Sequence, residues 1–217
     1  MISLVWEPWQ VVVPATPERS ALRLEARRLP AAGGGRAVIA PPHPLYGGTF
    51  HNPVVVDIAE GLARIGISGV AFNWRGTEGS EGSKTDSLES AVSDYLAAFQ
   101  TLADEAEATG ARLFAAGYSF GAATALLAAR EDKRIEGVIM LAPPVGMLQS
   151  ADLEAAPGHL LVVVGSDDEF APLTALEEKL SVRRDATLEV VPGADHFFHF
   201  GGLSEIAGRV AGHVRHW

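Results

Sequence analysis

A serine between two glycines is the residue of this sequence best suited to covalent chemistry. It lies in the segment GYSFG, residues 117–121, after an apolar run and before small, helix-forming residues. This spacing is typical of a sharp strand-to-helix turn that presents the hydroxyl as a nucleophile. The glycines leave room where a Cβ would clash, and the helix N-terminus favours a developing negative charge. Glycine-rich chains produce such a pentapeptide by chance, so the surrounding strand and helix carry the prediction that Ser119 is the nucleophile.

A serine hydroxyl needs a neighbouring base, and histidine is the side chain best matched to neutral pH. His196 lies in VPGADHFFHF, directly after the last predicted strand, where a loop side chain can reach over the carboxyl edge of a parallel sheet. We therefore predict that His196 is the general base. His199, three residues further on, is the nearest alternative.

A carboxylate must hold the tautomer of that base and stabilise the imidazolium, and it is expected on the loop after the penultimate strand. The segment GSDDEFAP occupies this loop. We predict that Asp168 is the orienting acid, whereas Asp167 is better suited to a turn or capping role.

Short apolar runs alternate with longer amphipathic ones, which predicts an α/β fold with a mostly parallel central sheet flanked by helices. Strands are predicted at Leu4–Val13, Ala21–Arg28, Ala37–Ala40, Gly69–Trp74, Leu113–Ala116, Gly137–Leu141, His159–Val164 and Thr187–Val191. Helices are predicted at Val54–Arg64, Leu88–Ala108, Ala122–Arg130, Ala171–Leu180 and Gly202–Val214. The stretch from Pro143 to Gly158 is too short for a large lid domain, and we expect residues 1–217 to form a single domain.

These segments resemble those of a known family, the small, lidless α/β-hydrolases related to dienelactone hydrolases. The corresponding stretches here read PPHPLYGGTFHN, FNWRGTEGSEG, GYSFGAA, LAPP and ADHFFHF. The order Ser119, Asp168, His196 along the chain is the α/β-hydrolase order. The resemblance implies that these three residues form the catalytic triad of a predicted hydrolase or esterase. Dienelactone hydrolases use cysteine where this chain has serine, so their lactone substrate is not carried over.

The resemblance also implies the position of an oxyanion hole. The family places its second donor on the loop after the third strand, here HPLYGG from His43 to Gly48. Pro44 has no N–H to offer. We therefore assign the hole to the backbone N–H groups of Phe120 and Leu45, with Tyr46 as the alternative to Leu45. By the same resemblance, His43 and Arg75 are expected to brace neighbouring loops.

Composition excludes several other functions. A formal charge of −10 and the lack of a Lys/Arg-rich stretch argue against nucleic acids and anionic membranes as partners. Cysteine is absent, so disulfides and thiol catalysis are excluded. No run of about 18 apolar residues and no secretion signal is evident, and we expect a cytoplasmic protein. No metal or cofactor is expected.

The residues therefore predict a serine-dependent carboxylic ester hydrolase acting on a small-molecule ester. Hydrolysis of thioesters, lactones or amides, and acyl transfer, would use the same triad, and the sequence does not separate them. A protein of another class, which binds a small ligand without catalysis on the same scaffold, is the second hypothesis. Oligomeric state is not predicted.

Overall fold

The computed structural model describes residues 4–199 and 203–217, and its centre is an eight-stranded sheet. The strands are β1 (Glu7–Val13), β2 (Leu22–Leu29), β3 (Gly35–Ala40), β4 (Ile67–Phe72), β5 (Arg112–Tyr118), β6 (Ile135–Leu141), β7 (His159–Gly165) and β8 (Thr187–Val191). Their order across the sheet is β1-β2-β4-β3-β5-β6-β7-β8. Strand β2 pairs antiparallel with β1 on one side and with β4 on the other. The remaining neighbours in the sheet all pair parallel. The predicted mostly parallel sheet is confirmed, with each strand end within about three residues of its predicted position.

Helices connect the parallel strands. They are α1 (Pro53–Arg64), α2 (Leu88–Thr109), α3 (Phe120–Glu131), α4 (Ser150–Ala155), α5 (Leu173–Leu180) and α6 (Leu203–Val214). The side chain of Asn52 caps α1, and Gly110 ends α2 in the left-handed region at φ 67°. Gly202, the predicted start of the last helix, lies outside the described residues. None of the described helices is long and apolar enough to cross a bilayer.

Two of the helix boundaries differ from the prediction for reasons that concern the site. The third helix begins at Phe120 rather than Ala122, so the residue after Ser119 is already helical. The fifth helix begins at Leu173 rather than Ala171, because the Ala171 N–H donates to the Asp168 side chain and Pro172 is extended, with ψ 128°. The helix after Ser119 therefore starts directly at the site residue, whereas a turn held by the Asp168 side chain separates Asp168 from α5.

Apolar side chains cover both faces of the sheet. Along β3, Val38 and Ala40 join a cluster with α2 to α5, whereas Ala37 and Ile39 join a cluster with α1 and α6. This alternation follows from the two-residue period of a strand that is buried on both faces. The sheet is therefore a rigid layer between two helical layers, and its carboxyl edge holds fixed starting points for the loops.

A buried ion pair attaches the loop after β4 to helix α2. The backbone N–H and the guanidinium of Arg75 donate to the Asp94 carboxylate on α2 at 2.6 to 3.1 Å, and the Asp94 side chain is 1% exposed. The expected bracing role of Arg75 agrees with these contacts. Trp74 adds a second anchor, because its indole N–H donates to the Pro42 carbonyl at 2.9 Å and holds the loop after β3.

Candidate active site

Ser119 lies in the turn between β5 and α3, in a conformation that only a tight turn imposes. Its backbone has φ 54° and ψ −119°, and a positive φ is uncommon and strained in residues other than glycine. Its N–H donates to the Leu141 carbonyl at 2.8 Å, which fixes the turn to the end of β6. The half-buried side chain stands at the N-terminus of a helix, as the sequence predicted.

Both glycines of the turn are required by close packing. A Cβ on Gly117 would lie 2.2 Å from the Gly121 carbonyl oxygen, and a Cβ on Gly121 would lie 2.5 Å from the carbonyl oxygens of Ala40 and Pro41. These distances are far inside van der Waals contact, so any larger residue would displace the backbone. The GYSFG segment therefore has its glycines where the backbones of strand, turn and neighbouring loop meet.

The structure brings the three predicted triad residues together. His196 Nε2 lies 2.9 Å from Ser119 Oγ, and His196 Nδ1 lies 2.9 Å from Asp168 Oδ2. The side chains of Asp168 and His196 are 0% and 8% exposed, which shields their contact from water. A carboxylate only accepts hydrogen bonds, so Nδ1 carries the proton and Nε2 is left to accept the serine hydroxyl. This arrangement can take a proton from Ser119.

Asp168 is held by the backbone of its own loop. Its Oδ1 accepts the N–H groups of Phe170 at 2.8 Å and Ala171 at 3.0 Å. The sequence suggested Asp167 for such a turn role, but the Asp167 side chain is exposed and accepts the Ser166 hydroxyl at 2.8 Å. Asp168 thus combines the turn with the contact to the imidazole.

His199, the alternative base, has its own partner. Its Nδ1 lies 2.9 Å from Asp195 Oδ2, and both side chains are substantially exposed. Although burial opposes it, hydrogen bonds from His199 and from the Phe197 N–H hold the pKa of Asp195 below its usual value. His199 is therefore oriented toward Asp195, whereas His196 faces the serine.

The loops that carry Asp168 and His196 are joined directly to each other. The Asp167 N–H donates to the Ala194 carbonyl at 3.0 Å, and the Gly193 N–H donates to Ser166 Oγ at 2.8 Å. Gly165 makes this approach possible, because a Cβ there would lie 2.1 Å from the Ala194 oxygen. The spacing between acid and base is thus set by backbone contacts between the ends of β7 and β8.

Tyr118 is a supporting residue that the sequence analysis did not identify. Its hydroxyl donates to the backbone carbonyl of His196 at 2.9 Å, and its ring lies 5.7 Å from the imidazole. Burial, reinforced by the charges of Asp168 and Asp195, raises the pKa of Tyr118, so the hydroxyl stays protonated as a donor. The signal in the sequence was its position, since a tyrosine that ends a buried strand needs a partner for its hydroxyl.

The two predicted oxyanion donors have different surroundings. Phe120 is the first residue of α3, where a backbone N–H has no acceptor within the helix. The Leu45 N–H donates to His43 Nδ1 at 3.2 Å, and the alternative donor, the Tyr46 N–H, donates to the His43 carbonyl at 3.1 Å. Burial lowers the pKa of His43, against the charge of Asp86, which favours the neutral ring that accepts this bond. His43 thus orders the loop, and in this structure Leu45 would have to exchange that partner for an oxyanion.

In the part of the chain that the structure describes, no group of three or more His, Asp or Glu side chains is arranged to hold a metal ion.

Comparison with known proteins gives related sequences. The hydrolase family model described as serine aminopeptidase, S33, matches residues 45–161. A protein of Rickettsia prowazekii that is described as uncharacterized is 30% identical over 175 residues, which are 76% of this chain and 72% of that protein.

Solved structures share the architecture over the whole chain. One is a serine hydrolase without a lid from Xanthomonas campestris, which is 28% identical, with 100% of this chain and 97% of that chain covered and a TM-score of 0.84. Another is a dienelactone hydrolase from Anabaena variabilis, which is 17% identical, with 98% of each chain covered and a TM-score of 0.76. The second likeness concerns the fold alone.

Proposed function

Because this chain belongs to the serine aminopeptidase S33 family of α/β-hydrolases, we propose that it hydrolyses small carboxylic esters through an acyl-enzyme on Ser119. The predicted resemblance and the predicted lidless α/β-hydrolase fold are confirmed by the family match and the similar structures. The contact of 2.9 Å between Ser119 Oγ and His196 Nε2 is the observation that carries the proposal. The ester substrate and the roles of the individual residues are our inference.

Acylation begins when Ser119 Oγ attacks the ester carbonyl carbon while His196 Nε2 takes the hydroxyl proton. The carbonyl electron pair moves to oxygen, and the backbone N–H of Phe120, with that of Leu45, stabilises the oxyanion. Asp168 stabilises the imidazolium. The intermediate collapses as the bond between carbon and the alkyl oxygen breaks, and that oxygen receives the proton from Nε2 and leaves as the alcohol.

Deacylation repeats the sequence with water. His196 Nε2 takes a proton from water as the water oxygen attacks the acyl carbon. The second intermediate then collapses as the bond between that carbon and Ser119 Oγ breaks, and Nε2 gives its proton to Oγ. The products are a carboxylic acid and the free enzyme. The same groups would serve thioesters, lactones, amides and acyl transfer, and the family description makes amide cleavage the alternative to be tested first.

The test is a panel of short chromogenic esters assayed beside an amino-acid nitroanilide and a thioester, with wild type and Ser119→Ala. We expect the wild type to turn over esters fastest, and Ser119→Ala to lose about 10⁴-fold or more in kcat, because only binding and the oxyanion hole remain. The fold should persist, since one half-buried hydroxyl is removed. Wild-type turnover by the variant would reject Ser119.

Labelling with a fluorophosphonate separates the enzymatic proposal from the binding-scaffold alternative. A wild-type adduct on Ser119, absent from Ser119→Ala, supports covalent catalysis. A protein that binds ester-like ligands but never forms the adduct would instead be a non-catalytic member of the fold.

A further inference from the structure

Exposed apolar side chains are concentrated on the loops that carry the candidate site. Of the large hydrophobic side chains that are exposed in the described residues, four follow the sheet's carboxyl edge on these loops: Leu45, Tyr46, Phe170 and Phe197. Single exposed apolar residues are common on protein surfaces, but a contiguous group marks a binding surface. Leu45 and Tyr46 follow β3, whereas Phe170 and Phe197 follow β7 and β8, so the two pairs can contact different parts of a substrate.

Phe170 and Phe197 lie beside the general base. The Phe170 ring lies 4.6 Å from the imidazole of His196, and the Phe197 ring lies 5.4 Å from it and nearly perpendicular to it, at 87°. Both residues remain more than half exposed, at 56% and 57%. Each ring therefore contacts the base while more than half of the residue stays exposed. Phe197 also contacts the His199 ring, with centroids 5.5 Å apart.

The other two side chains lie on the oxyanion side. Tyr46 packs on His43 with ring centroids 5.0 Å apart, and His43 packs on Phe120 at 4.6 Å. The exposed apolar surface therefore has two halves, one beside the proposed oxyanion donors and one beside the base.

The mechanism decides what meets the half beside the base. His196 Nε2 must deliver its proton to the alkyl oxygen, which requires that oxygen to lie within about 3 Å of it. The carbon group bonded to that oxygen then begins next to the imidazole. Phe170 and Phe197 are the exposed apolar side chains that contact this imidazole, so they are placed to contact the leaving alcohol rather than the acyl group.

Charge around this half disfavours an anionic alcohol. Asp167 and Glu169 flank Asp168, and Asp195 accepts the Phe197 N–H at 3.1 Å. In the described part of the chain, no lysine or arginine hydrogen-bonds or ion-pairs with residues 165–172 or 192–199. A negatively charged alcohol would meet carboxylates that have no lysine or arginine partner among the described residues.

We propose that Phe170 and Phe197 form the binding site for the leaving alcohol, and that the preferred substrates are esters of uncharged aromatic alcohols. This inference rests on the proposed ester hydrolysis. Aromatic rings held edge to face or tilted against an aromatic leaving group gain more than their buried area alone provides. Small aliphatic alcohols would leave most of the surface of both rings exposed to water.

The test holds the acyl group constant and varies the alcohol. Ethyl, benzyl and 4-carboxybenzyl butyrate release alcohols of similar acidity, so their intrinsic leaving ability is matched. We expect wild-type kcat/KM to be about tenfold higher for the benzyl than for the ethyl ester, and lower again for the 4-carboxybenzyl ester. Phe170→Ala and Phe197→Ala should each reduce the benzyl-to-ethyl ratio several-fold, whereas Val182→Ala, an exposed apolar residue of another segment, should leave it unchanged.

A common butyryl-enzyme distinguishes alcohol binding from support of the base. All three esters form the same intermediate, so its hydrolysis by water is independent of the alcohol. If the phenylalanines bind the alcohol, their variants change kcat/KM ratios while the deacylation rate, measured in single-turnover experiments, is retained. A parallel loss for all esters together with slower deacylation would show that the rings only position His196, and would overturn the inference.

Two further outcomes separate this inference from the proposed function. Equal kcat/KM for ethyl and benzyl esters in the wild type would overturn the alcohol site and leave ester hydrolysis intact. If neither ester were hydrolysed and Ser119 formed no butyryl adduct, the proposed function would fail, and the inference with it.

Phe170→Leu and Phe197→Leu, which keep apolar bulk but lose the ring, should lower the benzyl-to-ethyl ratio of kcat/KM less than the alanine variants do.

Discussion

At the scale of single residues, Asp168 has an unusual set of partners for one carboxylate. Two backbone N–H groups donate to Oδ1, and His196 Nδ1 lies 3.0 Å from Oδ1 and 2.9 Å from Oδ2. The backbone donors fix which atom of the side chain must be an oxygen. The orientation of the imidazole therefore depends on the local turn as much as on the charge.

This geometry predicts the effect of Asp168→Asn. The two N–H groups will keep the amide oxygen at the Oδ1 position, so an NH₂ group replaces Oδ2 at 2.9 Å from His196 Nδ1. This NH₂ group can only donate, which favours the tautomer with the proton on Nε2. A protonated Nε2 cannot accept the serine proton, and kcat should fall on the order of 10⁴-fold with the fold retained. Asp167→Asn and Asp195→Asn are the matched controls and should stay within about tenfold of wild type in steady-state assays. Inactivity of Asp167→Asn instead would move the acid by one residue.

The pH dependence of activity should report one histidine. A histidine base accepts the Ser119 proton only in its neutral form, so kcat/KM for an uncharged ester should rise with pH between about 5 and 8. Burial already lowers the pKa of His43, so His43→Asn should leave the shape of the profile unchanged even if it lowers the rate. A flat profile between about pH 5 and 8 would exclude a histidine base.

At the scale of elements, the site depends on how closely strand ends approach each other. Gly165→Ala places a Cβ 2.1 Å from the Ala194 carbonyl oxygen and must push apart the loops that hold Asp168 and His196. We expect about 1–3 kcal/mol lower free energy of unfolding and roughly a 10²-fold lower kcat. Denaturant unfolding and ester assays measure the two effects. Unchanged kcat would mean that the contact between these loops does not set the triad.

Gly212→Ala is the control for the same chemical change. Gly212 is exposed in α6, and a Cβ there meets nothing within 4 Å. Alanine in a helix interior should raise the free energy of unfolding by about 0.5–1 kcal/mol and leave activity unchanged.

The sequence predicted the eight strands, every described α-helix except the short α4, and the three residues that the structure brings together, because each had a local signal. The turn around Ser119 has a pentapeptide, and Asp168 and His196 follow predicted strands. The contacts between Tyr118 and His196, Gly165 and Ala194, and His43 and Leu45 had no comparable signal. They depend on side-chain rotamers and on the approach of separate loops, which strand periodicity does not encode. The contacts of Phe170 and Phe197 with the His196 imidazole were not predicted, for the same reason.

At the scale of the whole molecule, the open carboxyl edge limits acyl size. Between β6 and β7 the chain forms only α4 and a short 3-10 turn, Val145–Met147, and no inserted helical domain covers Ser119. We expect no tunnel that could bury a long acyl chain, so acetyl and butyryl esters should have kcat/KM about tenfold or more above lauryl esters. A series of p-nitrophenyl esters measures this. Preference for long-chain triglycerides with activation at an oil–water interface would contradict it.

The positive φ of Ser119 connects activity with the stability of the whole fold. A residue other than glycine in such a conformation lowers the free energy of unfolding by about 1–3 kcal/mol through backbone strain. Glycine adopts the conformation freely, and the larger entropy that it gives the unfolded chain lowers the free energy of unfolding by only about 0.4–1 kcal/mol. Ser119→Gly would thus keep the turn, relieve the strain and remove the nucleophile. Selection for folding alone is therefore expected to replace this serine by glycine. We expect the serine to be retained at this turn only where its hydroxyl contributes to function.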